Sequence, residues 1–143
     1  MKLTIEMAIG PTAVRSLRKF VQGATEDVGL PALQRNHLMT ALSEFCNNIV
    51  KHAKPPATLL KAELSLRDGD WMLEIIDNGG EYNPLTSGRF EPLNTGNSAL
   101  RESGMGIALI ATCYPSCAYV GKTTAPDRLN HLHIPLGPRA RTE

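Results

Sequence analysis

Glu44, Asn48 and His52 follow one another at four-residue steps within Ala41-Leu-Ser-Glu-Phe-Cys-Asn-Asn-Ile-Val-Lys-His-Ala53. On a helix of about 3.6 residues per turn, that spacing stacks them into one polar ridge about two turns long. Stepping about 100° per residue from Leu38 gathers Leu38, Ala41, Leu42, Phe45 and Ile49 on one face and sets the ridge along its flank. A carboxylate and an amide at the margin of a core are costly to desolvate unless something satisfies them, and a metal ion with its ligand would do so. Surface polar residues of an amphipathic helix produce the same pattern, so the ridge by itself leaves both readings open.

Two further stretches carry residue types that suit a ligand. Asp77-Asn78-Gly79-Gly80-Glu81 follows directly on an alternating apolar run, which would stand a carboxylate at a strand end where glycines let backbone approach a ligand closely. The same residues also make an ordinary turn. Ser103-Gly104-Met105-Gly106 opens the apolar run Ile107-Ala108-Leu109-Ile110-Ala111. Backbone amides at such a helix start form an anion site whose usual occupant is phosphate. A glycine hinge before a core helix is the alternative.

The elements that must position these residues are legible from periodicity. Leu3, Ile5, Met7 and Ile9 alternate as in a half-buried strand that Gly10-Pro11 ends. Val14, Leu17, Phe20 and Val21 predict an amphipathic helix from Thr12 to Thr25, with Arg15, Arg18 and Lys19 on its wet side. Gly29-Leu30-Pro31 starts the ridge helix, which spans Pro31 to Ala53. Lys54-Pro55-Pro56 stops it, because proline has no N–H to donate and the residue before proline avoids helical angles.

Alternating runs from Thr58 to Leu66 and from Trp71 to Asp77 flank Asp68-Gly69, a turn pair that two-stranded ribbons favour. Leu60, Ala62, Leu64 and Leu66 share one face of the first strand, and Trp71, Leu73 and Ile75 one face of the second, so a helix can pack there. Leu85 to Glu102 is polar with little hydrophobic periodicity, the kind of long stretch that forms lids or binding loops. Strands follow from Cys117 to Lys122 and from Leu129 to Leu136, around a turn at Ala125-Pro126-Asp127, and the tail from Gly137 is expected to fray.

Composition narrows the function classes. The 143 residues, 42% hydrophobic and 20% charged, fit one domain spanning 1–143 with its core at about 3–136. A net charge of +1 supplies no electrostatic reason for nucleic-acid binding. No basic segment leads into an apolar one at the start, and no apolar run approaches about 18 residues, which predicts a cytoplasmic protein with no membrane partner. Cys46, Cys113 and Cys117 lack zinc-like spacing and read as reduced thiols. His131 and His133 project from one strand face; with no third ligand nearby they read as exposed strand residues rather than a metal pair.

Taken together and in this order, the three motifs resemble those of the GHKL, or Bergerat-fold, ATPases, the superfamily of the gyrase, Hsp90, histidine-kinase and MutL nucleotide-binding domains. Glu44-x-x-x-Asn48-x-x-x-His52-Ala53 matches the N box, Asp77-x-Gly79 the first glycine box and Gly104-x-Gly106 the second. Within the superfamily the chain is most similar to the small bacterial anti-sigma-factor serine/threonine kinases. That likeness rests on the short length, the single strand before the first helix, the Ser43-Glu44 form of the N box with a His after it, and Arg101-Glu-Ser-Gly-Met-Gly106 before the last helix.

The resemblance implies an α/β two-layer sandwich, a mixed, mostly antiparallel sheet with helices on one face, and ATP between the ridge helix and the lid. It implies that Asn48 coordinates Mg²⁺ bridging the phosphates, that Glu44 is the general base, and that Asp77, with Gly79 beside it, accepts the adenine amino group. Gly104, Met105 and Gly106 would cradle phosphate through their amides, with Arg101 as a charge partner, while His52 matches the family without a defined duty. The implied activity is phosphorylation of a STAS-type anti-sigma antagonist, with a sigma factor regulated by partner switching; homodimers occur in the family. One position departs: the family pattern Asp-x-Gly-x-Gly calls for glycine where this chain has Glu81. Gly80 replacing it with a one-residue shift, or a stiffer hinge, are the two readings. A nucleotide-sensing binding module that transfers no phosphate is the corresponding alternative function.

Overall fold

The computed structural model describes residues 2–83 and 114–138. In chain order they form β1 (Lys2–Ala8), α1 (Ala13–Asp27), α2 (Ala32–His52), β2 (Leu59–Arg67), β3 (Asp70–Asp77), β4 (Ala118–Val120) and β5 (Asn130–Pro138). The strands make one sheet in the order β1-β2-β3-β5-β4. Every described pairing is antiparallel, so the mostly antiparallel sheet implied by the sequence contains no parallel pair among the described residues.

The β2–β3 hairpin turns at Asp68 and Gly69, both at positive φ (53° and 87°), as the tight turn matching strand twist requires. Its register sets Leu60 opposite Asp77, Ala62 opposite Ile75, Leu64 opposite Leu73 and Leu66 opposite Trp71. Directly opposed residues share a sheet face, so the apolar faces of the two strands coincide and Asp77 lies on that same face. Leu17 and Val21 of α1, Leu38, Leu42, Phe45 and Ile49 of α2, and Leu132 and Ile134 of β5 close over it in one core. Each fully buried side chain of this size stabilises the fold by about 1.5–3 kcal/mol before entropy is counted. The helix layer covers this one face.

Both helices follow their apolar periodicity. α1 continues past the expected end at Thr25 to Asp27, and Thr25 Oγ1 donates back to the Val21 carbonyl at 2.7 Å. Gly29, at φ 83°, turns the chain before α2, and Arg35 Nη1 donates to the Leu30 carbonyl at 2.6 Å across the start of the helix. Lys51 and His52 occupy the last turn of α2, where positive charge suits the carbonyl end of a helix.

Of the tail expected to fray, Gly137 and Pro138 are instead paired, and residues 139–143 lie outside the described residues. Gly137 pairs with Trp71 and Pro138 with Asp70, beyond a register shift at Trp71/Met72, and Gly137 supplies the positive φ of 94° that such an irregularity favours. Cys46 and Cys117 are free and buried. Desolvation pushes their thiols up to about 12, with the Asp77 charge adding to Cys46, and to about 11; Cys113 lies outside the described residues. No described helix is long and apolar enough to cross a membrane.

Candidate functional site

The α2 ridge lies where periodicity places it. Leu38, Ala41, Leu42, Phe45 and Ile49 are buried, Glu44 and Asn48 are half-buried beside them, and His52 is exposed. A rise of about 1.5 Å per residue sets Asn48 roughly 6 Å and Glu44 roughly 12 Å up the helix axis from His52.

What brings the ridge to the strand end is the glycine pair after β3. A Cβ on Gly79 would lie 2.9 Å from Ala53 Cβ and from Ala57 Cβ, and one on Gly80 only 2.0 Å from the Lys54 carbonyl oxygen. With hydrogen in place of a side chain, the segment leaving β3 lies directly against the segment leaving α2, and the Gly80 N–H donates to the Pro55 carbonyl at 2.8 Å. Asn78 seals the other side: its Oδ1 accepts from the backbone of Thr58 and Leu59 at 2.8 and 3.0 Å, and its Nδ2 donates to Thr58 Oγ1 at 2.8 Å. The His52 ring stacks on Tyr82 with centroids 5.5 Å apart, which gives His52 a packing contact at this junction.

Asp77 sits at the junction, 4% exposed. Its Oδ2 accepts from the Gly79 N–H at 2.9 Å and from Asn130 Nδ2 at 3.2 Å; Oδ1 makes no hydrogen bond among the described residues. Burial pushes the Asp77 carboxyl above the ordinary carboxylate range, partly offset by those two bonds and by the positive charges of Lys122 and His131. A buried acceptor with one oxygen already oriented is suited to receive an N–H from a planar ligand.

Asn130 is a site residue that periodicity did not single out. It is 1% exposed, pairs directly with Asp77 in the β3–β5 register, and donates from Nδ2 to the Gly79 carbonyl at 2.9 Å as well. Its Oδ1 accepts from the Lys122 N–H at 2.8 Å. One signal was present in the sequence: Asn130 shares the inward phase of Leu132 and Ile134, and a polar residue in an otherwise apolar phase needs a buried partner.

Glu81 is engaged with the β4–β5 connection. Its Oε1 accepts from the Thr123 backbone N–H at 2.9 Å and from Thr123 Oγ1. The carboxylate lies so close to Gly121 that a Cβ there would come within 2.4 Å of it. The Thr123 hydroxyl and N–H hold the Glu81 carboxyl below its usual range, and the Tyr82 N–H donates to Tyr119 Oη at 3.1 Å. Gly80 packs against the Lys54 carbonyl, where no side chain fits. The chain after β3 is tied to residues 121–123.

Arg101, Gly104, Met105, Gly106 and the stretch from 85 to 102 lie outside the described residues. His131 and His133 are on the sheet face away from the helices, half-buried rather than exposed, and His131 acts on the junction only through its charge on Asp77. The donor set around α2 fits a magnesium–phosphate group: Asn48 offers a half-buried amide oxygen, and Mg²⁺ takes oxygen ligands while keeping phosphate and water for the remainder.

A sequence model described as the histidine kinase-like ATPase domain matches residues 7–126, which take in the ridge, the Asp77 turn and the Gly104 to Gly106 stretch. Among solved structures, the chain is similar to the RsbU and RsbW domains of Rv1364c from Mycobacterium tuberculosis, with a TM-score of 0.57 and 16% identity. The match covers 100% of this chain and 34% of that one, and at such identity the likeness is one of fold. No curated protein matches the chain.

Proposed function

The chain belongs to the histidine kinase-like ATPase domain family, and we propose that it is an ATP- and Mg²⁺-dependent protein serine kinase of the anti-sigma-factor type. The observation that supports this reading is the glycine-packed junction, which sets the end of α2, from which the ridge runs, against the turn that follows the buried Asp77 carboxylate. In the proposed complex Asp77 Oδ1 accepts the exocyclic amine of adenine while Gly79 and Asn130 hold Oδ2. A base presenting a carbonyl there would leave the carboxylate unpaired and be rejected. Asn48 would hold Mg²⁺, which when bound neutralises phosphate charge. Glu44, one turn away, takes the proton from the substrate serine hydroxyl as its oxygen bonds the γ-phosphorus and the bond to the β-phosphate oxygen breaks, leaving ADP. The amides of Gly104, Met105 and Gly106, with the Arg101 guanidinium, would receive the phosphates.

The sequence resemblance supports a STAS-type anti-sigma antagonist as the phosphorylated protein and a sigma factor as the other partner, in the cytoplasm and with the chain as a homodimer. The test incubates the protein with ATP, Mg²⁺ and a STAS-type antagonist and maps phosphoserine. Glu44→Gln should lower transfer by roughly 10²–10⁴-fold, the usual contribution of a general base, with nucleotide affinity retained. Phosphoserine that persists unchanged in Glu44→Gln would sink the assignment of the base.

The Glu81 tether favours a second reading, a nucleotide-sensing module that binds partners according to ATP or ADP occupancy without transferring phosphate. Tight, Asp77-dependent nucleotide binding with no phosphoserine on any antagonist, and partner affinity that changes between ATP and ADP, would select it.

A further inference from the structure

On the sheet face away from α1 and α2, we propose that Glu74, His131 and His133 form a zinc site separate from the nucleotide junction. Leu132 and Ile134 point into the core, so the alternating His131 and His133 stand together on the opposite face, with rings stacked at a centroid distance of 5.8 Å. The β3–β5 register places Glu74 directly across from His133. This is the third ligand that the sequence around the two histidines lacks.

The three residues each offer a donor atom within 4.8 Å of the others. Glu74 Oε2 lies 3.0 Å from His131 Nδ1, and Oε1 lies 3.7 Å from His133 Nδ1. Bonds of about 2.0–2.1 Å in a tetrahedral zinc site separate neighbouring donors by about 3.3 Å; the two gaps lie either side of that value, one to each oxygen of Glu74, so a small turn of the carboxylate presents one oxygen to both rings. The remaining pair closes by rotation of an imidazole. Two imidazole nitrogens and one carboxylate oxygen suit zinc and its first-row neighbours and do not suit magnesium.

The surroundings orient the donors as metal sites require. Asp127 accepts from His131 Nε2 at 2.8 Å and would keep that contact while the metal displaces the proton that Nδ1 shares with Glu74 Oε2, freeing the Nδ1 lone pair. Arg67 donates to Glu74 Oε1, holding a carboxylate whose side chain is 5% exposed with Oε2 toward His131. Three protein ligands leave the fourth zinc position for water or for a group from a partner.

Calorimetric titration of metal-stripped, nucleotide-free protein with ZnCl₂ in the presence of Mg²⁺ tests the site. One equivalent bound tighter than about 10 µM, weakened at least tenfold by His133→Ala and by Asp127→Asn, is the expected result. Cobalt substitution gives a second measurement that does not depend on a variant folding: the intact protein should show the visible absorption of four-coordinate Co²⁺. Binding weaker than that threshold, binding undiminished by both substitutions, or an octahedral cobalt spectrum would overturn the proposal. None of these outcomes bears on the nucleotide reading, because the three ligands lie on the other side of the sheet.

Discussion

Asn130 faces Asp77 across the β3–β5 ladder and donates from one amide nitrogen to both Asp77 Oδ2, at 3.2 Å, and the Gly79 carbonyl, at 2.9 Å. A single side chain thus fixes the carboxylate and the backbone of the turn that follows it. Asn130→Ala would leave Asp77 Oδ2 with the Gly79 N–H alone and take this partner from the Gly79 carbonyl and the Lys122 N–H, at about 1–3 kcal/mol for a buried group left unsatisfied. Thermal unfolding should register a clear drop in Tm, and nucleotide titration a loss of affinity of roughly tenfold or more. A variant with unchanged affinity would show that Asp77 is held without Asn130.

Asp77 itself should trade stability for binding. Its raised pKa means that the fold prefers the protonated carboxyl, so the stability it contributes is fully present below the unfolded pKa and is lost as pH rises through the folded one. Asp77→Asn keeps an acceptor for the Gly79 N–H and removes the buried charge. In the absence of nucleotide, the variant's Tm should approach that of the native chain in acid and exceed it increasingly toward neutral pH. Nucleotide affinity should fall by about 10–100-fold, the worth of a hydrogen bond to a charged group.

Gly80→Ala tests the junction directly. A Cβ at this position meets the Lys54 carbonyl at 2.0 Å, so the two segments must separate at a cost of about 1–3 kcal/mol. Nucleotide binding should weaken together with stability, because the ridge and Asp77 then move apart. The same substitution at Gly10, where a Cβ meets nothing within 4 Å, should leave binding intact.

Glu81 ties the turn after β3 to Thr123 through its ionised carboxylate. Its pKa is depressed, so the tie is present above the ordinary glutamate pKa and is lost as pH falls through the lowered value. Amide exchange at Thr123 should accelerate across that acid range in the native chain, and Glu81→Gln should flatten the dependence. If the tether limits phosphoryl transfer, Glu81→Gly should raise turnover with nucleotide affinity unchanged; equal turnover would separate the tether from catalysis.

The ridge of Glu44, Asn48 and His52, the β2–β3 hairpin and the inward phase of Leu60, Leu64, Leu73 and Ile75 could all be read from the chain, because helical and strand periods are local properties. The Asp77 turn was equally legible as a glycine-rich strand end. Three relationships needed the tertiary structure: Asn130 with Asp77, 53 residues away; Glu81 with Thr123, 42 residues away; and Glu74 with His131, 57 residues away. Each depends on β5 docking beside β3 in one register, and alternation within a strand says which face a residue occupies but not which strand will lie next to it. Gly79 and Gly80 make the same point at closer range. Composition marked them as turn residues, and only the packing of α2's end against β3's end required that neither carry a side chain.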